Sequence, residues 1–219
     1  MSEVRFFHRP PVIFELMNEN PKQYLYHRVP ASLEGDVLHP LNKLKFSERV
    51  NPKLYEVYKK VIEKYQSEYR KSIPNIKIPT LQDATWGDVL QMSPIHPEDL
   101  KKALNSAGFE TQEEKFYQID PDLLDAKLTT IYLYEDEIGD EDPENYTDLT
   151  QERLLKHSVV PQKTIDFYKK FKRDHPEKEF RLFFAHIPHA FYKGSIEDVS
   201  NLPVITVTAS KKEDVDKSL

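Results

Sequence analysis

The 219-residue sequence has no cysteine. That excludes disulfides, thiolate metal sites, cysteine-ligated iron–sulfur clusters and a cysteine nucleophile in one step. Glycine is nearly as scarce: there are five, and the closest two, Gly87 and Gly108, lie 21 residues apart. Neither G-x-G-x-x-G nor G-x-x-x-x-G-K-[ST] can be assembled, and no G-x-S-x-G elbow is present, so dinucleotide-binding Rossmann, P-loop and α/β-hydrolase chemistry are set aside. Long apolar runs are also lacking, since no stretch approaches the ~18 residues a membrane span needs. The opening "MSEVRFFHRPPVIFELMNENP" has a charge or a proline every few positions and no apolar signal-peptide centre. A soluble, cytoplasmic protein without membrane contact is expected. A basic surplus is missing as well: 31 basic against 37 acidic residues leave a net charge of −6. DNA is therefore not an expected partner, because phosphate binding draws on excess cationic charge.

Aromatic residues are plentiful, with twelve Tyr and twelve Phe. They suit a thick core whose ring edges reach polar groups. A chain of this length removes about 70% of its unfolded surface from water, so it needs no covalent staples.

Period-two alternation in "YLYHRV" (24–29) puts Leu25, His27 and Val29 opposite Tyr24, Tyr26 and Arg28, which predicts a strand ended by Pro30. "NPKLYEVYKKVIEKYQSEYRKS" begins with Asn51 as N-cap and Pro52 at the first helical position. Its Leu54, Tyr55, Val57, Tyr58, Val61, Ile62, Tyr65 and Tyr69 fall at helical spacing and predict one buried face. A short helical turn is expected around "ATWGDVLQM". A further helix starts at Pro97, carries Glu98 and Asp99 in its first turn and stops at Gly108. "KFYQI" (115–119) and "LTTIYLY" (128–134) read as strands. The run 135–148, with eight acids in 14 residues, reads as a solvated loop. A helix begins near Pro161, and strands are expected at 180–187, 190–196 and 203–207. The sum is a single α+β domain over 1–207, with a mixed or antiparallel sheet of about six strands, three to four packed helices and a polar, disordered tail at 208–219.

Few side chains carry chemistry. His186 and His189 are three apart with Pro188 between them. Residues at that spacing on an extended strand point to opposite faces, so a metal pair is not predicted. His186, flanked by apolar residues on both faces, is either a core histidine bonded to backbone or a cleft imidazole that orients a substrate or moves a proton. His27 poses the same choice, facing inward between Leu25 and Val29. Trp86 is either a core plug or a stacking platform. His39 and His96, each beside a proline, read as turn and capping residues.

The strand "YLYHRV", together with "YQIDPDLLDAKLTTIYLY" and "HIPHAFYKGSI", resembles the ADP-ribosyltransferase-like superfamily, which includes tRNA 2′-phosphotransferases and toxin transferases. Arg28 stands where that family's motif has Gly, and no Ser-Thr-Ser segment is present. The resemblance implies NAD as cofactor, with His27 or Arg28 on the adenosine ribose and Tyr132 or Tyr134 stacked on nicotinamide. Glu135 or Glu197 would orient the second ribose and stabilise oxocarbenium-like charge. With His186, those two glutamates complete the expected catalytic set, acting on a nucleotide or protein substrate. The alternative is a non-catalytic interaction module that uses a tyrosine-rich surface or the acidic loop 135–148.

Overall fold

The computed structural model describes residues 21–65, 68–134, 141–177 and 184–210. Among them are seven strands: β1 (Leu25–Arg28), β2 (Leu90–Met92), β3 (Glu114–Ile119), β4 (Thr129–Tyr132), β5 (Tyr146–Asp148), β6 (His189–Tyr192) and β7 (Val204–Val207). The helical segments are α1 (Leu41–Lys45), α2 (Pro52–Ile62), α3 (Glu68–Lys71), α4 (Pro97–Ser106), α5 (Gln151–Lys156) and α6 (Gln162–Asp174). The chain is α+β, as its sequence predicts, but the strands form two antiparallel sheets in place of one: β1-β3-β7 and β2-β6-β4-β5.

Among the described residues, one isolated bridge joins the two sheets. Tyr26 and Ser93 exchange backbone hydrogen bonds of 2.8 Å in both directions, linking β1 to the residue after β2. Because strand side chains alternate, each sheet offers an inner face. Leu25, Tyr117 and Ile119 from one sheet meet Leu90, Met92, Ile131 and Ala190 from the other, with Leu38, Leu154, Ile196 and Val199 closing the cluster. The opposite face of the four-stranded sheet is also buried, under an aromatic group of Trp86, Tyr132, Tyr134, Tyr146 and Phe191. Trp86 is the plug of this group, 5.0 Å from Phe191 and 5.7 Å from Tyr132, edge-on to both.

Caps set the longer helices. Asn51 Oδ1 accepts from the amides of Lys53 and Leu54 at the start of α2. The His96 ring accepts from the Glu98 amide ahead of α4, and Gly108 leaves α4 with φ +84°. α4 packs against α6 through Ala103, Leu104, Ala107, Phe109 and Tyr168.

Several expectations require correction. Residues 184–187 form a turn, not the end of a strand, and 178–183 lie outside the described residues. The reason is His186, whose φ of +59° is left-handed and cannot continue a strand. The acidic run is not wholly loop, because Tyr146–Asp148 pairs with β4 as an edge strand. The expected helical turn is present at Trp86–Asp88 as a 3-10 turn, but Leu90–Met92 after it form the unexpected strand β2. Ser210 is tied to Thr111 by two hydrogen bonds, one of them 2.7 Å, so the tail is held past its expected start at 208. Of the face predicted to be buried, Leu54 to Ile62 on α2 are half-buried and none is fully buried, and Tyr65 just beyond packs against the aromatic group.

Candidate functional site

At β1, His27 is half-buried beside its cross-strand neighbour Tyr117, with Nδ1 2.7 Å from the Arg28 carbonyl oxygen. Arg28 points to the other face and makes a two-pronged ion pair with Glu114, its Nε donating to Oε2 at 2.6 Å. The guanidinium charge is thus matched within the fold, and the two residues do not share a face.

Tyr132, Tyr134 and His186 do converge, together with His189. β4 and β6 are neighbours in register, with Tyr132 opposite His189. Tyr132 is wholly buried, stacked 5.7 Å from Phe191. Tyr134 has left the strand with φ +55° and meets the His186 ring edge-on at 5.0 Å. The other side of the His186 ring lies 3.7 Å from the Phe167 ring of α6. α6 also fixes the turn by hydrogen bonds: the Thr164 hydroxyl donates to the His186 carbonyl, and Lys163 Nζ donates to the Tyr134 carbonyl at 2.8 Å. Burial, and then the Lys163 charge, hold the half-buried His186 imidazole below its ordinary pKa. It is a neutral group at pH 7, able to accept or relay a proton. Two adjacent non-glycine residues in left-handed conformation store a cost of ~1–3 kcal/mol each, and such strain concentrates at working sites.

His189 differs from its neighbour. It is buried among Tyr134, Phe184 and Phe191. Its Nδ1 has no hydrogen-bond partner among the described residues. Burial pushes its pKa down to about 4, outweighing the carbonyls of Ile187 and Phe184 that face the ring. The left-handed turn at His186 breaks the face alternation on which the sequence argument about this pair relied. Among the described residues no group of three or more His, Asp and Glu side chains is placed to hold a metal ion.

Glu197 is exposed, and Glu135 lies outside the described residues. The Glu197 charge acts on His39, a residue that sequence reasoning gave only a turn role. His39 Nδ1 sits 2.8 Å from Ser195 Oγ, and Lys43 Nζ donates to the same oxygen at 3.0 Å. No spacing pattern predicts this meeting, because 156 residues separate His39 from Ser195.

The surface around α1 and α2 is the remaining unusual feature. Leu54, Tyr55, Val57, Tyr58, Val61 and Ile62 are all only half-buried. In the connection between the two helices, Phe46 is 74% and Val50 87% exposed. Tyr55 and Tyr58 stack on each other, and Lys59 lies over the Tyr55 ring. Residues 43–60 carry six basic and two acidic side chains, in a chain that is acidic as a whole.

Two open hollows of ≈300 and ≈280 Å³ flank the start of α5, sharing Asp122 and Gln151. They contain none of the predicted site residues, and Lys22 on the rim of the first is paired with Asp120 and Asp122 at 2.7 and 2.8 Å. No helix among the described residues is long and apolar enough to cross a membrane. Comparison of the chain with models of protein families, with curated proteins and with solved structures finds no match in any of the three.

Proposed function

We propose that this chain is a protein-interaction module that docks an acidic, amphipathic segment of a partner protein on the α1–α2 surface. The observation that carries this reading is that α2 has the apolar spacing of a buried helix and yet leaves all of those residues only half-buried. A half-buried amphipathic stripe beside the exposed Phe46 and Val50 leaves apolar surface in water that a partner can cover. The flanking basic residues select the partner's sign of charge, because unlike charges across an interface steer association and reject like-charged competitors. Tyrosine on the patch adds large, rigid contact area at low entropic cost.

The test compares three baits in affinity capture from the native lysate: the wild type, a Phe46→Ser/Val50→Ser variant, and a variant with Glu141, Asp142, Glu144 and Asp148 changed to Ser. Phe46 and Val50 are exposed, so their replacement leaves the unfolding midpoint unchanged. The reading predicts that one acidic protein is captured by the first and third baits and lost from the second. Capture indifferent to the second bait contradicts it, and loss only with the third moves the contact to the acidic segment.

A second reading, NAD or nucleotide handling of the ADP-ribosyltransferase-like kind, is favoured by the strained Tyr134–His186 pair. In that reading Tyr132 or Tyr134 stacks on the nicotinamide and His186 supplies a neutral imidazole. Glu135 and Glu197 remain the candidate carboxylates, and His27 and Arg28 the candidate ribose contacts. Thermal unfolding with millimolar NAD tests it, since a ligand that binds only the folded state raises the midpoint. A rise that His186→Ala abolishes supports the reading, and an unmoved midpoint ends it.

A further inference from the structure

We infer that Ser195 is a nucleophile toward activated acyl carbonyls, with His39 as its general base and Lys43 stabilising the developing oxyanion. The placement follows from the backbone. Leu38 and Ile196 form an antiparallel bridge, exchanging hydrogen bonds of 2.9 and 3.1 Å, and both side chains enter the core. In an antiparallel bridge the residues on either side are also opposite each other, and they point away from the face the bridge residues bury. His39 and Ser195 are that next pair, which directs both side chains out of the core. A few residues on, Asp36 clamps the same two segments by accepting from the Ser200 amide and hydroxyl, each at 2.7 Å. Pro40 then opens α1, whose first turn carries Lys43 to the serine.

The donor and acceptor inventory of Ser195 suits the role. A lysine ammonium only donates, so it occupies a lone pair of Oγ and leaves the hydroxyl proton for His39 Nδ1. Burial first, and then the Lys43 charge, lower the His39 pKa, while Glu197 opposes them. The ring is therefore neutral and able to take a proton near pH 7. Lys43 from α1 and Glu197 from the loop after β6 are the charged groups acting on it.

In the reaction, Oγ bonds to the carbonyl carbon of a small ester as its proton passes to His39 Nδ1, and the oxyanion faces the Lys43 ammonium. Collapse breaks the ester C–O bond, and His39 returns the proton to the leaving alkoxide. Water then cleaves the acyl-serine by the same proton path, releasing a carboxylic acid. No oxidant, reductant or metal enters the balance.

A fluorophosphonate probe tests this without knowledge of the natural ester. Oγ displaces fluoride from phosphorus, the serine proton goes to His39, and the adduct is read by intact mass and peptide mapping. The wild type should be labelled at Ser195 alone, with no labelling after urea denaturation or in Ser195→Ala. His39→Gln should slow labelling by about a hundredfold, the scale of a lost general base. As a measurement that needs no variant, the wild-type rate should be flat near neutral pH and fall as His39 protonates in acid. Labelling no faster than in urea, labelling elsewhere, or a Ser195 rate indifferent to pH and to His39→Gln would overturn the inference. The result is independent of whether α2 docks a partner.

Discussion

His189 is a buried histidine whose titration is coupled to the fold. Its folded pKa of about 4 lies below the ordinary 6.5, so the unfolded chain binds the proton more readily. Stability from this group is fully present above pH 6.5 and drains as pH falls from 6.5 to about 4. The full difference is ~3 kcal/mol, at 1.36 kcal/mol per unit. Replacing His189 by Phe, which suits its aromatic neighbours, should flatten the stability curve in that window while leaving other acid-sensitive groups in place. A urea-unfolding series from pH 7 to pH 4 measures the difference, and parallel curves for the two proteins would exclude His189 as the cause. Gly194 makes a second claim at this scale. A Cβ there would lie 2.4 Å from the Tyr192 ring, which folds back over the glycine. Gly194→Ala should therefore cost about 1–3 kcal/mol, and Tyr192→Ala should remove most of that cost in the double variant. Additive losses in the cycle would show that the ring is not the obstacle.

At the scale of elements, the N-cap of α2 is open to direct test. Asn51→Ala removes the acceptor for two amide donors and should lower stability by ~1 kcal/mol, whereas Asn51→Asp should retain it. Equal losses in both would indicate that α2 does not depend on its cap. This cap, Pro97 and Gly108 at the ends of α4, the alternation in β1 and the strand character of β3 and β4 are all legible in the sequence, since each follows from neighbours within a few residues. What escapes is non-local. "RLFFAH" has the composition of a buried strand, but the bond from Thr164 on α6 and the ring of Phe167 hold His186 in a left-handed turn. β5 is hidden because only Tyr146 of its three residues is buried, and the acids around it dominate the local reading. β2 is hidden by its length, three residues directly after a turn. Helical spacing gave the stripe on α2 but says nothing of what covers it. Of the candidate site, Tyr134 and His186 were readable as individual residues, and their contact was not. His39, Lys43 and Ser195 meet through a backbone bridge between distant segments, for which no periodicity exists.

On the scale of the whole molecule, charge and apolar surface are segregated together. In an acidic chain, residues 43–60 carry six basic and two acidic side chains, in the segment that also exposes Phe46 and Val50. Steering by such a patch is screened over a Debye length of about 8 Å at physiological salt. The association rate with the partner should therefore fall steeply between low and high salt, with dissociation changing far less. A dissociation rate that carried the whole salt effect would place the charges inside the contact and not around it. The most direct measurement is site-specific photo-cross-linking from positions 50 and 58 in the native lysate, with the adducts mapped by mass spectrometry. The docking account predicts that both positions capture one and the same acidic segment with apolar residues at helical spacing, and that Phe46→Ser abolishes both adducts. Adducts no more abundant than those from position 170 on α6, or adducts to nucleic acid or to basic segments, would contradict it.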